Sequence, residues 1–168
     1  MTTPDFVLEL RRHIGHDLLW MPGVTGVVVR TDGHDPRACL DPADVEILIV
    51  KRSDNGRWTP VTGIVDPGEE PAAALVREVE EEAGVRARPL RLVSTEVVGP
   101  MTYPNGDRAV YLDSAFLLIW EGGEPWPADG ENTDARFVRG DELPEMNERF
   151  TRVIQRALSG HEAAAFEF

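Results

Sequence analysis

Apolar positions in the chain recur at two spacings, and the spacings predict different elements. Phe6, Val7, Leu10, Ile14, Leu18 and Leu19 fall at roughly helical intervals, which predicts a short amphipathic helix over residues 5–19. Val24 to Arg30 is valine-rich and reads as a strand. Val45 to Val50 is a second strand, apolar enough to be central in a sheet. Asp54-Asn55-Gly56 marks a turn, and Trp58 to Gly63 reads as a short extended segment entering a loop.

Pro67-Gly68 interrupts the chain, and Pro71 suits a first helical turn. Ala72, Leu75, Val79 and Ala83 then form one apolar stripe, with Gly84 placed to end the helix, so Pro71 to Ala83 is predicted helical. Leu90 to Val98 is β-like. Asn105-Gly106 signals a hairpin between Met101-Thr102-Tyr103 and Val110 to Trp120. A loop rich in Gly, Pro and acid follows over Glu121 to Asn132, then a short strand over Ala135 to Val138. A last helix begins at Glu145 or Asn147 and carries Phe150, Val153, Ile154 and Leu158. Residues 161–168 read as a loose tail whose Phe166 and Phe168 are available to dock on a partner or on the body. Strands and helices mix without the repeated βαβ of a doubly wound fold.

Composition narrows the class. The chain has 168 residues, 42% of them hydrophobic and 28% charged, which suits one globular domain. No apolar run is long enough to span a bilayer, and no secretory signal is evident at the N-terminus. With Cys39 as the only cysteine, an internal disulfide is excluded and a cytoplasmic location is expected. A formal charge of −13 argues against a nucleic-acid-binding surface. The same charge would repel an anionic substrate unless a divalent cation stood between them.

Glu78, Glu81 and Glu82 are related by i, i+3 and i+4 and share one helix face, apart from the apolar stripe. Such a run usually faces water. Its surroundings argue otherwise. Gly63 is followed after five residues by Glu69, and after seven more by Arg77-Glu78-Val79-Glu80-Glu81-Glu82-Ala83-Gly84-Val85. This resembles the Nudix box at every fixed position.

The resemblance implies an α/β fold, a Nudix-type α/β/α sandwich with a mixed β-sheet, here carrying a short N-terminal helix. The expected organisation is an N-terminal helix within 1–20, as part of the same domain or as a dimer contact, a Nudix domain over 21–160, and a C-terminal tail over 161–168. The implied activity is magnesium-dependent hydrolysis of the diphosphate bond in a nucleoside diphosphate linked to another group, such as ADP-ribose or a dinucleotide. The alternatives are nucleoside triphosphate pyrophosphohydrolysis, nucleotide binding without catalysis, and isoprenoid diphosphate isomerisation.

By resemblance Glu78, Glu81 and Glu82 are catalytic and metal-ligating, with the Gly63 carbonyl as a further ligand. Glu69 and Arg77 brace the box. The cofactor is Mg²⁺, with Mn²⁺ as a substitute. Glu131 is the first choice among the acids of the later loop for an additional metal ligand. Trp58 and Tyr103 are candidate substrate contacts, each also readable as a core aromatic or a turn residue. Many relatives carry Leu-Pro-Gly-Gly before the box, whereas this chain has Pro60-Val61-Thr62-Gly63. The partner expected is a small nucleotide, with neither nucleic acid nor membrane. A homodimer is the second use for the N-terminal helix.

Overall fold

The computed structural model describes residues 3–166. Helix α1 (Asp5–Ile14) leads into strand β1 (Leu18–Arg30), then β2 (Glu46–Arg52), β3 (Trp58–Thr59), β4 (Val61–Ile64) and helix α2 (Pro71–Ala83). Strands β5 (Arg86–Thr102), β6 (Arg108–Gly122) and β7 (Asn132–Arg139) follow, and helix α3 (Glu148–Leu158) closes the series. A 3₁₀ turn over Pro42–Asp44 precedes β2.

The sheet runs β3-β2-β1-β6-β5, with β4 added to β1 and β7 added to β2. It is mixed, because β1 and β6 are parallel and the other pairs are antiparallel. Alternation along the central strands feeds two cores. Val24 and Val28 of β1, Leu48 and Val50 of β2 and Leu118 of β6 pack against Leu75, Val79 and Ala83 of α2. Their neighbours Val27, Val29, Ile47, Ile49 and Leu117 turn the other way, onto Val153, Ile154, Ala157 and Leu158 of α3. The result is the expected α/β/α sandwich with a short N-terminal helix. Gly26 is required by close packing, since a Cβ there would stand 2.9 Å from Leu75 Cδ1.

Three expectations need correction. The first helix does not reach residue 19. Gly15 stops it at φ +58°, and Leu18 and Leu19 begin β1, where twelve consecutive residues from Leu18 to Val29 pair with β6. Leu18 and Leu19 continue the apolar count of the helix, but long parallel pairing overrides helical spacing. The β-like stretch at 90–98 is the middle of a longer strand, Arg86–Thr102, kept continuous by irregularities in its register with β6. The described part of the tail is not loose: Ala165 bonds to the backbone of Val93 and Thr95 on the outer edge of β5, at 2.9 and 3.1 Å. Phe166 is exposed, and Phe168 lies outside the described residues. No helix among the described residues is long and apolar enough to cross a membrane.

Helix α1 packs Val7 and Phe6 against Met21, Ile64, Ala109 and Tyr111. Arg11 fixes its far end, donating to the carbonyls of Gly15, Asp17 and Arg108 at 3.1, 2.6 and 2.7 Å.

Candidate active site

Helix α2 follows the local rules closely. Glu70 supplies the carbonyl that accepts from Ala73 and Ala74, Pro71 occupies the first turn, and Gly84 ends the helix in the left-handed region at φ +67°. Loop residues 123–131 cover its C-terminus, where Trp126 N–H donates to the Ala83 carbonyl at 3.1 Å and Ala128 N–H to that of Glu82 at 3.3 Å.

The glutamate face is not a solvated one. Glu78 and Glu82 are 7% and 3% exposed, whereas Glu81 is exposed. Arg77 organises the group. Its Nε and Nη2 form a fork on the Glu69 carboxylate at 3.1 and 3.0 Å. Its Nη1 bridges Glu78 and Glu81, both at 3.1 Å, and Nη2 also reaches the Ile64 carbonyl at 3.3 Å. Glu69 in turn accepts from the Asp66 N–H at 3.2 Å. One guanidinium thus ties the loop, the end of β4 and the helix together. The hydrogen bond to Glu69 is the main reason the Arg77 pKa rises and the Glu69 carboxyl is held below its usual range.

Burial pushes Glu82 up to about 7, and the nearby Glu78 charge adds to that. Burial also raises Glu78, opposed by Arg77. Among the described residues, Glu82 accepts one hydrogen bond, from Asn132 Nδ2 at 3.3 Å. Gly63 stands directly over Glu78: a Cβ there would lie 2.6 Å from Cδ and 2.7 Å from Oε1 of that side chain. Gly63→Ala is therefore expected to displace Glu78, destabilising the fold by roughly 1–3 kcal/mol and weakening divalent-metal binding. Thermal melts and a Mn²⁺ titration of the variant check both effects.

Among the described residues no three His, Cys, Asp or Glu side chains stand close enough together to hold a metal ion. Arg77 occupies the oxygens of Glu78 and Glu81 that face each other. The donor set nevertheless fits a hard cation, because two buried carboxylates crowd one helix face and only one of them, Glu78, contacts Arg77, whose charge is also divided with Glu69 and Glu81. Glu131 is fixed by its main chain, its carbonyl accepting from Ser53 N–H at 3.0 Å and Oγ at 2.6 Å. The later-loop side chain that hydrogen-bonds to Glu82 is that of its neighbour, Asn132.

A cleft of about 1040 Å³ opens on the other face of β4, and Thr62, Gly63 and Ile64 form part of its wall. Trp58 and Tyr103 both line it. Trp58 also packs on the α3-side core and lies under the Arg136 guanidinium, 4.9 Å from its ring centre, while Tyr103 pairs its hydroxyl with that of Tyr111 at 2.6 Å. Although the chain is strongly acidic, Arg11, Arg52, Arg57 and Arg149 line the same cleft. Arg52 is forked onto Asp54 at 3.0 and 2.9 Å. No sequence signal marks Asn132, nor Arg149 with its partners Glu96 and Asp113. They come from separate elements, and only strand register brings them together.

The NUDIX domain family model matches residues 22–157. The NAD-capped RNA hydrolase NudC of Deinococcus radiodurans is 31% identical over 121 residues, covering 69% of this chain and 40% of that protein. The NAD-capped RNA hydrolase NudC of Photobacterium profundum is 33% identical over 101 residues, 59% of this chain and 35% of its own. The chain thus spans well under half the length of these relatives. Among solved structures, a NUDIX hydrolase from Nitrosomonas europaea superposes with a TM-score of 0.64 at 20% identity, covering 87% of this chain and 93% of that one. With the family match running from β1 to α3 and every fixed position of the box filled, the chain belongs to the Nudix hydrolase family.

Proposed function

We propose that this protein hydrolyses the diphosphate bond of a nucleoside diphosphate linked to a second group, using Mg²⁺ held by Glu78, Glu82 and Glu81 with the Gly63 carbonyl. The observation that carries this reading is the pair of buried glutamates on one helix face, Glu78 lying against Gly63, a residue that also forms part of the wall of an arginine-lined cleft. Burying two like charges on one helix face is costly, and a divalent cation offsets that cost while attracting an anionic substrate. The relatives are named as hydrolases of NAD-capped RNA, and NAD itself joins two nucleosides through a diphosphate, a linkage of this class.

The residues divide the work. Arg77 and Glu69 set the positions of the glutamates. Arg52 and Arg57 neutralise substrate phosphates. Trp58 and Tyr103 present aromatic faces to a base or ribose. A carboxylate of the cluster accepts the proton of the attacking water. When bound, Mg²⁺ supplies charge neutralisation of the diphosphate and a lower pKa for a coordinated water. The test is a panel of ADP-ribose, NAD, dinucleoside polyphosphates, nucleotide sugars and nucleoside triphosphates, with Mg²⁺ and with excess chelator, followed by product separation. Magnesium-dependent release of a nucleoside monophosphate is expected. Binding of panel members without turnover of any would favour a non-catalytic module.

A pH effect follows from the buried carboxylates. Glu82 in the folded state holds its proton up to about 7, against an ordinary 4.5, so the folded state binds that proton more tightly. Its stabilising contribution is complete below about 4.5 and is lost as pH rises through about 7. Glu78 and Asp113 shift in the same direction. The carboxyls held low, Glu69, Asp54, Asp107 and Asp141, act only in the more acidic range. The metal-free protein is therefore expected to melt lower at pH 8 than at pH 5.5, and added Mg²⁺ to raise the melting temperature more at pH 8. A metal-free melting temperature that is flat or rising over this interval would contradict it.

A further inference from the structure

Where the α3-facing row of β1 and β6 leaves the core, it turns polar. Thr25 and Asp113 succeed Val27 and Ala115 on that face, and Glu96 is the cross-strand partner of Asp113 on β5. All three converge on Arg149, in the first turn of α3. Its Nε donates to Glu96 at 3.0 Å, and its Nη2 donates to Thr25 Oγ1 at 3.0 Å while pairing with Asp113. Arg152 holds the other Glu96 oxygen at 2.7 Å. The third nitrogen, Arg149 Nη1, hydrogen-bonds to no described residue. Arg149 and Asp113 both line the cleft, and Thr25 pairs across strands with Thr62, next to Gly63.

Three properties follow. The guanidinium is clamped on two of its three nitrogens, so little freedom remains to be lost when a ligand binds. Its side chain is only 15% exposed, so the guanidinium is held within the wall of the cleft and not out in solvent. An arginine donates and never accepts, and it keeps its proton throughout the working pH range. Asp113 is engaged by Thr25 through Oδ1 and by the Arg149 cation through Oδ2, so among the described residues Nη1 is the free donor of this guanidinium. Phe150 and Met146 line the cleft beside it and offer apolar surface to a flat ring.

We propose that Arg149 is the base-reading residue of the cleft, selecting nucleosides whose base turns a carbonyl oxygen toward Nη1 over those turning an amino group there. This rests on the hydrolase reading above and narrows its substrate class to nucleotides of keto bases, uracil or guanine. An amino group facing Nη1 would oppose donor to donor and leave both unsatisfied. Sites built on a buried hydrogen-bonding group reject such a mismatch by about tenfold or more.

The experiment is calorimetric binding of UMP, CMP, GMP and AMP to the metal-free protein, which needs no turnover and so stands apart from the hydrolase test. Each pair holds ring size constant and exchanges the carbonyl at pyrimidine C4 or purine C6 for an amine, with the adjacent ring N–H becoming an acceptor; guanine carries a 2-amino group besides. UMP should bind about tenfold or more tightly than CMP, and GMP likewise than AMP. In Arg149→Gln, whose amide can present either a donor or an acceptor, both ratios should fall toward one. In Thr25→Val, which removes one clamp and keeps the guanidinium, they should fall part of the way. This variant carries the test if Arg149→Gln does not fold. Equal binding within each pair by the wild type, absence of binding by all four, or ratios unchanged in a folded variant would overturn the proposal. Failure of the hydrolysis panel beside intact base discrimination would overturn the hydrolase reading and leave Arg149 as the selector of a binding module.

Discussion

Glu82→Gln is expected to lower turnover by about two to four orders of magnitude while making the metal-free protein more stable at pH 8. The two effects have one cause. Glu82 is 3% exposed, its proton leaves only near pH 7, and among the described residues it accepts one hydrogen bond, the 3.3 Å contact from Asn132. Glutamine keeps the volume and removes the charge. The difference between the ordinary carboxyl and one at about 7 corresponds to about 3 kcal/mol at pH 8, an order-of-magnitude figure. In the wild type, Mg²⁺ held at the proposed site would recover that energy. In the variant there is little to recover, so Mg²⁺ should raise the melting temperature far less. Melts with and without Mg²⁺, beside kcat measured on the substrate found by the panel, check both halves. A variant with near-normal turnover would remove Glu82 from the metal site. A variant less stable than the wild type at pH 8 would refute the claim that its charge is held at a cost.

Arg77→Met should act in the opposite sense. Arg77 contacts Glu69, Glu78, Glu81 and the Ile64 carbonyl, so its loss leaves three carboxylates without their shared cation. Removing one partner of a buried ion pair costs about 3–5 kcal/mol, and the partial exposure of Arg77 places the expectation near the lower end. Lysine at this position would serve one side of the cluster but not span both, because its ammonium is a point charge and not a planar fork. Saturating Mg²⁺ should stabilise Arg77→Met more than it stabilises the wild type, since the carboxylates released by the arginine are open to the cation. A denaturation midpoint equal to that of the wild type, with or without Mg²⁺, would show that Arg77 does not organise the box.

The sequence carried the α2 region almost whole. Pro71 and Gly84 bound the helix as expected, and the apolar stripe meets the sheet. These signals are local, so they survive being read from one segment. The end of the first helix departs from its apolar spacing for the converse reason. Leu18 and Leu19 satisfy a helical count, yet their pairing partners, Arg108 and Ala109, lie some ninety residues away. The depth of the glutamate cluster was also hidden. Periodicity places Glu78 and Glu82 on one face, but their burial depends on Gly63 standing over the first and Asn132 reaching the second. The base-facing wall of the cleft was invisible altogether. Thr25, Glu96, Asp113 and Arg149 come from four elements and meet only through register.

The claim that matters most is that Glu78 and Glu82 hold the divalent cation. A calorimetric titration of Mn²⁺ into the wild type and into the Glu78→Gln/Glu82→Gln double variant tests it directly. The geometry predicts saturable binding by the wild type, at a stoichiometry of at least one, and none by the double variant, whose fold should be intact by circular dichroism. Equal Mn²⁺ binding by the two proteins would contradict it and place the metal elsewhere.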